Sequence, residues 1–330
     1  MLIPPCSRCG APSAFTDRAT GEDLCPECLL RSIERRARNV VLSTVGRGDR
    51  VAVALSGGKD SSLTLFLLKK FSEEIGFELS AITIDEGTAY RRRSIEAARL
   101  LASELGVEHV VVPMRDVHGV DAREIASLLP PGWRRSVCTY CGVLRRQAIN
   151  VVARSIGADW VATGHNLDDV LQTFLMNLIR GDVNALSRLP QGARSPSPLL
   201  IPRIRPLSLV REREVTAAVL LLGLPAELGK CPAVSGMRVR VRRAVDDLEV
   251  RLPGSKASLW LGASRILPSI SSSLRVELKS CRLCGEPCTE RLCKACQMKM
   301  ELEPLLGRKL DYTLGGMAAR FNSPHHRRLG

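Results

Sequence analysis

Aromatic residues are scarce in this chain: 3 Trp, 3 Tyr and 6 Phe among 330 residues. Platforms on which single-stranded bases stack are therefore sparse, and a folded RNA read by shape and phosphate is the better-suited nucleic-acid partner. Long hydrophobic runs are absent too. The most apolar segment, Val215 to Leu224, is about half the length that spans a bilayer. Cys6 and Cys9 fall where the apolar region of a secretory signal would lie, so no signal peptide is expected. These absences predict a soluble, cytoplasmic protein with no membrane partner. In that compartment twelve cysteines point to metal rather than disulfides. Acidic residues are outnumbered: 48 Lys plus Arg face 34 Asp plus Glu, and the net charge of +14 predicts a polyanionic partner. The basic residues gather in Arg31 to Arg38, Arg91-Arg92-Arg93, Arg134-Arg135, Arg238 to Arg243 and His325 to Arg328. A single run is more often a solvated face than a contact; five on one chain favour nucleic acid.

What is present is organised around residue 55. Val51-Ala-Val-Ala-Leu55 reads as a buried strand and runs into Ser56-Gly57-Gly58-Lys59-Asp60-Ser61, after which Ser61 to Lys70 reads as a helix. Adjacent glycines let the backbone turn tightly and approach a ligand, and the free amides of the first helical turn suit a phosphate. The Walker arrangement is excluded, because no glycine precedes Gly58 by five residues. A plain strand-to-helix turn would also tolerate two glycines.

Cys6-x-x-Cys9 and Cys25-x-x-Cys28, with fifteen residues between the pairs, have the spacing of four thiolates converging on one zinc. Residues 1–30 are too few to bury a core, so metal would supply the folding energy of this ribbon. A pair of redox dithiols is the alternative. Residues 29–46 form a basic amphipathic helix. Strand and helix then alternate: Leu79 to Ile84, Ser94 to Leu105, His109 to Pro113, Val143 to Ile156, Trp160 to Thr163 and Leu167 to Arg180. That rhythm predicts an α/β fold with a parallel sheet and right-handed crossovers over 31–225. Ligands of such sheets lie beyond the carboxyl ends of the strands, where three loops should converge: the Gly-Gly loop, Asp85-Glu86-Gly87 and Gly164 to Asp169.

Asp168 and Asp169 read equally as a helix N-cap and as carboxylates that hold Mg²⁺ or orient a reacting group beside a triphosphate. Cys138-x-x-Cys141 lacks the second pair a zinc site needs, and Cys231 is the remaining cysteine outside the terminal clusters. Three thiolates suit a 4Fe–4S cluster with one open iron; an incomplete zinc site or buried free thiols remain open. Asp182 to Pro202 reads as a loop across the mouth of the site or a linker. Ile204 to Leu207 and Glu212 to Leu222 read as a last strand and helix. A basic helical segment over 226–275 has helices at 236–251 and 257–267. The segment 276–330 begins with a second zinc ribbon, Cys281, Cys284, Cys293 and Cys296; Cys288 is unassigned and the tail after Pro304 is expected to be mobile.

The order zinc pair, Ser-Gly-Gly-Lys-Asp-Ser, Cys-x-x-Cys-Gly, Thr-Gly-His-Asn-x-Asp-Asp, lone Cys-Pro, zinc pair spans essentially the whole chain. The loop resembles the PP-loop of the ATP-pyrophosphatases, a Rossmann-like adenine nucleotide alpha hydrolase fold, and the full order resembles the TtcA/TtuA-type tRNA 2-thiolation enzymes. Ile84 to Gly87 and Cys138 to Arg146 are similar to the wobble-uridine branch of archaea and eukaryotes. A sister branch thiolates 5-methyluridine at position 54 and usually has Lys where Arg145 stands. The resemblance implies ATP binding by Ala54, Leu55, Ser56, Gly57, Gly58, Lys59, Asp60, Ser61, Ile84, Arg145 and Gly164. It implies adenylation of the uridine 2-oxygen and displacement of AMP by sulfur at a cluster held by Cys138, Cys141 and Cys231, with Asp169 and Arg145 handling proton and phosphate. It also implies two structural zinc ions, tRNA and a sulfur donor (a ubiquitin-like thiocarboxylate protein or sulfide) as partners, and a homodimer. One departure is Ala233 after Cys231-Pro232, where relatives often carry an aromatic residue. The rivals are another PP-loop ligase, such as a lysidine synthetase, and a zinc-ribbon RNA-binding protein with a vestigial loop.

Overall fold

A computed structural model describes residues 3–189, 197–229, 231, 236–274 and 278–314. The chain opens with a two-stranded antiparallel ribbon, β1 (Phe15–Asp17) and β2 (Glu22–Leu24). The helix α1 (Pro26–Leu42) follows with Cys25 at its N-cap, where the Cys25 sulfur accepts the amide of Cys28, and Pro sits at the first helical position. Strand β3 (Arg50–Ala54) and helix α2 (Lys59–Ile75) flank the Gly-Gly loop, and Gly76 ends α2 in the left-handed conformation.

The alternation continues through β4 (Glu78–Asp85), α3 (Ala89–Glu104), β5 (Glu108–Pro113), two short helices α4 (Met114–His118) and α5 (Ala122–Leu128), α6 (Val137–Ser155), β6 (Trp160–Thr163), α7 (Leu167–Ile179), α8 (Val183–Leu186), β7 (Arg203–Ile204) and α9 (Glu212–Leu222). The five strands β3 to β7 form one sheet in the order β5-β4-β3-β6-β7, and every pairing is parallel. This bears out the expected α/β fold. The strand order reverses between β3 and β6, so the crevice for a ligand opens where the loops after these strands meet.

Alternating residues of β3 point to opposite faces, and each face is covered, as a parallel sheet requires. Val51, Val53 and Leu55 join α1, α2, α3, α9 and the N-terminal cysteines in one core, whereas Ala52 joins α4, α5 and α6 in the other. Two helices, α10 (Met237–Arg251) and α11 (Ser255–Ser273), pack against α7 through Val241, Val245, Trp260 and Leu267. The C-terminal ribbon, β8 (Lys279–Ser280) with β9 (Pro287–Cys288), leads into α12 (Lys294–Leu306) and lies on the second core. Each ribbon therefore extends one of the two faces.

Several boundaries differ from expectation. Helix α6 begins at Val137 rather than Val143, because tertiary bonds from Tyr140 and Arg135 to Glu301 hold a turn that lacks apolar periodicity. Helix α3 starts at Ala89, five residues early, and α11 runs on through Pro268. Strand β7 is only two residues long. The expected mobile tail is corrected for its described part: Leu310 and Leu314 are buried in the second core, and the Leu310 amide donates to Glu303. The His325 to Arg328 run and part of the Asp182 to Pro202 segment lie outside the described residues. Among the described residues, no helix is long and apolar enough to cross a membrane.

Candidate nucleotide and thiol site

The loop after β3 has little freedom. Gly57 sits at φ +73°, and a Cβ there would lie 1.6 Å from the Ser94 carbonyl oxygen, so only glycine fits. The Ser61 hydroxyl folds the loop back on itself: it donates to the Gly58 carbonyl at 2.9 Å and accepts the Ser56 amide at 3.1 Å. Gly58 caps α2 without a side-chain bond, which leaves the first-turn amides facing outward. Leu55 is buried, its amide bound to the Ile82 carbonyl at 2.8 Å and its carbonyl to the Thr83 hydroxyl. Ala54 and Ile84 sit in the sheet ladders at the carboxyl ends of their strands.

The three loops expected to converge do so. Arg91 donates to the Ser56 carbonyl at 2.7 Å and pairs with Glu86, which is buried and also accepts from Arg145 at 2.9 Å. Gly164 packs directly on the loop, since a Cβ there would lie 2.7 Å from the Ser61 amide nitrogen. Asn166 reaches across to Asp60 at 2.8 Å. Lys59 lies between Asp60 at 2.7 Å and Glu212 at 3.3 Å. Burial opposes its charge, but the two carboxylates outweigh burial and raise its pKa.

The two adjacent aspartates separate in role. Asp168 is buried and committed: Lys256 holds one oxygen at 2.5 Å and the Glu212 amide the other at 2.8 Å. Asp169 forms a capping box with Asn166, so the cap reading is realised. It also faces the loop. Burial, then the Asp60 charge, pushes its carboxyl up to about 6, against the pull of Arg238 at 3.9 Å.

Cys138 and Cys141 stand one turn apart at the start of α6, both half-buried. Cys231 is exposed, and its charge is felt at both thiols. Burial pushes Cys141 up to about 11, while Arg145 pulls the other way. The segment before Cys231 packs on the loop: Glu227 donates its amide to the Gly57 carbonyl at 2.8 Å, and Tyr90 donates to the Gly229 carbonyl at 2.5 Å. Lys230 and Pro232 are outside the described residues. The sulfurs of Cys138, Cys141 and Cys231 are not gathered as tightly as a single tetrahedral ion needs, for which a metal–sulfur bond of about 2.3 Å sets the size. Three thiolates are the donors that a 4Fe–4S cluster with one open iron takes, and such a cluster spreads its ligands further apart than a single ion does.

Two other cysteine groups are tight. The sulfurs of Cys6, Cys9, Cys25 and Cys28 lie within 4.8 Å of one another, as do those of Cys281, Cys284, Cys293 and Cys296, and either set could hold a metal ion. Backbone amides reinforce them: Cys28 donates to the Cys25 sulfur at 3.4 Å, and Cys293 to the Cys281 sulfur at 3.2 Å. Cys288 stays outside, its thiol on the Glu290 carbonyl at 3.0 Å.

Part of the charge of the basic runs is answered within the fold. Arg36 pairs with Glu214, Arg91 with Glu86, Arg134 and Arg135 with Glu301, and Arg242 with Glu212. Of these, Arg91 and Arg36 pair with buried acids, whereas Arg134 stays largely exposed. Sequence reasoning gave no role to Glu86 or Glu212, and marked Arg91 and Arg238 only as members of basic runs. Glu86 stood in a flagged loop; Glu212 lies far along the chain, with no motif to mark it.

A PP-loop domain model matches residues 29–223. The tRNA 2-thiolation protein NcsA of Haloferax volcanii is 31% identical over 319 residues, covering 90% of this chain and 99% of that one. The chain belongs to the PP-loop family of tRNA 2-thiolation proteins. Another relative, the cytoplasmic tRNA 2-thiolation protein 1 of Caenorhabditis elegans, is 32% identical over 303 residues and covers 89% of this chain and 80% of its own. The U34-tRNA thiolase NcsA of Methanococcus maripaludis, solved with its [4Fe-4S] cluster, matches with a TM-score of 0.77 at 33% identity over 92% of this chain and 97% of that one. The resemblance drawn from the motif order is thus borne out for the family and the fold.

Proposed function

We propose that this protein is an ATP-dependent tRNA sulfurtransferase that makes 2-thiouridine at wobble position 34. One observation carries the reading: the anion-binding loop after β3 and the thiols at the start of α6 flank the same crevice, tied together by Glu86 through Arg91 and Arg145. A lone nucleotide site has no use for the thiols, and a vestigial loop has no use for a turn held this tightly.

ATP places its phosphates on Ser56 to Ser61 and its adenine against the backbone of Ala54, Ile84 and Gly164. The uridine 2-oxygen attacks the α-phosphate, forming a P–O bond as the bond to pyrophosphate breaks. Sulfide then attacks C2, and the C–O bond breaks with AMP carrying away the former carbonyl oxygen. AMP is a far better leaving group than oxide, which is the reason for the first step. Arg145, held by Glu86 through one nitrogen, has donors left for the phosphate at this junction. Asp169, its carboxyl raised to about 6, exchanges a proton near neutrality. Asp168, with both oxygens taken, does not fit as a ligand for the Mg²⁺ that accompanies ATP. A 4Fe–4S cluster on Cys138, Cys141 and Cys231 would supply an open iron position to carry sulfide. Zinc in each four-cysteine group is structural, because all four positions around the ion are filled by the chain.

Nucleoside analysis of tRNA from a deletion strain tests the assignment. Loss of wobble 2-thiouridine alone is expected. Loss of thiolated 5-methyluridine instead moves the activity to the T-loop, and an unchanged profile rejects a thiolase.

A further inference from the structure

A second group of arginines lies around His165, and all but Arg238 fall outside the basic runs that stand out in the sequence. Arg145 and Arg146 come from α6, Arg203 and Arg205 from β7 and the residue after its neighbour, and Arg238 from α10. Arg146 is exposed, and its guanidinium lies over Gly142, 3.6 Å from where a Cβ would be. No carboxylate pairs with Arg146 or Arg203 among the described residues; Arg203 donates to the Arg146 carbonyl at 3.3 Å, which links β7 to α6. Arg205 donates to the Leu189 carbonyl at 3.2 Å. Arg238 makes polar contacts with Gln172 and Thr173 and reaches Asp169 only at 3.9 Å. His165, exposed, uses its Nδ1 on the Thr163 hydroxyl at 2.8 Å and leaves its Nε2 open.

The arginines repel one another. Burial together with Arg146 and Arg205 lowers Arg203 to about 10. A fold that answers Arg91 with Glu86, Arg36 with Glu214 and Arg135 with Glu301 gives Arg146 and Arg203 no matching acid among the described residues. Unmatched guanidinium groups held by carbonyls, with accessible faces, are built for an external anion that takes several donors at once.

We infer that Arg146 and Arg203, with Arg205 and His165 beside them, seat a backbone phosphodiester of the RNA next to the nucleotide that enters the crevice. This rests on the thiolase reading for the identity of the RNA. Continuity decides between RNA and nucleotide phosphates. The ATP phosphates already have the α2 amides and lie at the β3 end of the crevice, whereas this group lies at β7, beyond β6 on the side away from β3 and β4. The anchor fixes the strand by its backbone, so it carries no base preference.

The test measures affinity of the holoprotein for a full-length tRNA, across a range of salt, alongside its affinity for ATP. Arg146→Gln and Arg203→Gln are each expected to weaken tRNA binding about tenfold at 0.1 M salt and to reduce the salt slope by about 1, with ATP affinity unchanged. Arg203→Lys, which keeps the charge, should recover most of the slope. Both Gln variants should unfold at the wild-type temperature or above it, because each removes a repelled cation; a merely structural arginine would lower it. Arg146 is the safer of the two, having no side-chain bond to lose among the described residues. Wild-type tRNA affinity and slope in both Gln variants overturn the inference, as does a selective loss of ATP affinity. If the arginine-dependent slope is found but no sulfur is transferred, the thiolase reading fails and the RNA seat stands.

Discussion

Replacing Glu86 by Gln removes the one negative charge shared by the two halves of the crevice. The Glu86 side chain is 2% exposed and that of Arg91 12%, so this limb of the pair is out of water; Arg145, at 44%, is not. Deleting one member of a buried ion pair costs about 3–5 kcal/mol, because the surviving charge is left uncompensated. Gln keeps the shape and one acceptor, which places the Arg91 limb near the lower end, about 3 kcal/mol. The solvent-screened Arg145 limb adds less than about 1 kcal/mol. At roughly 2–4 °C per kcal/mol for a domain of this size, the unfolding midpoint should fall by about 6–12 °C. The loss should extend to function. Arg91 also holds the Ser56 carbonyl, so a loosened Arg91 frees the phosphate loop and weakens ATP binding. Calorimetry on the apo chain and titration with ATP measure the two effects. A midpoint within about 2 °C of wild type, with unchanged ATP affinity, would refute the reasoning that Glu86 ties loop and thiol helix together.

Gly164→Ala should cripple ATP binding while leaving the chain folded, because its Cβ would press within 2.7 Å of the Ser61 amide nitrogen and displace the first turn of α2. Gly262→Ala, with open space around it in α11, is the control and should be neutral or stabilising by up to about 1 kcal/mol. For Asp169 the sign of the pH effect is fixed by a native carboxyl raised from 3.8 to about 6. Between these values the native state holds more protons than the unfolded chain, so stability falls as pH rises through the window. Urea titrations from pH 4 to 7 should show that slope reduced in Asp169→Asn, and an identical slope contradicts the assignment. Chelation that strips both four-cysteine groups should release two zinc ions per chain and lower the midpoint, since each ribbon is part of one face's core. Unchanged stability after zinc release would mean that packing alone holds the ribbons.

The sheet was legible because Val51, Ala52, Val53 and Leu55, Ile82 and Ile84, and Val161 and Ala162 are buried on both faces and read as short apolar runs. The loop was legible because Gly57 and Gly164 occupy positions where a Cβ collides with backbone. The start of α6 was not, since Ser136 to Tyr140 has no helical stripe and its turn depends on Glu301, far along the chain. The basic runs were legible only in part, for a related reason. Adjacent arginines draw notice in a sequence, yet Arg91 and Arg135 are answered by acids at distant positions. Arg203, isolated in the sequence with no marker beyond a short strand, has no carboxylate partner among the described residues. The tail after Pro304 looked polar, but Leu310 and Leu314 reach back to the second core, a contact that only the folded ribbon creates.

The central claim is that one crevice couples ATP cleavage to sulfur arrival. It is tested by mixing anaerobically purified protein with tRNA, ATP and sulfide, then counting nucleotide products against 2-thiouridine. The account predicts one AMP for each 2-thiouridine formed, and the loss of 2-thiouridine in Cys231→Ala. Full thiolation by Cys231→Ala, or ADP in place of AMP, would contradict it.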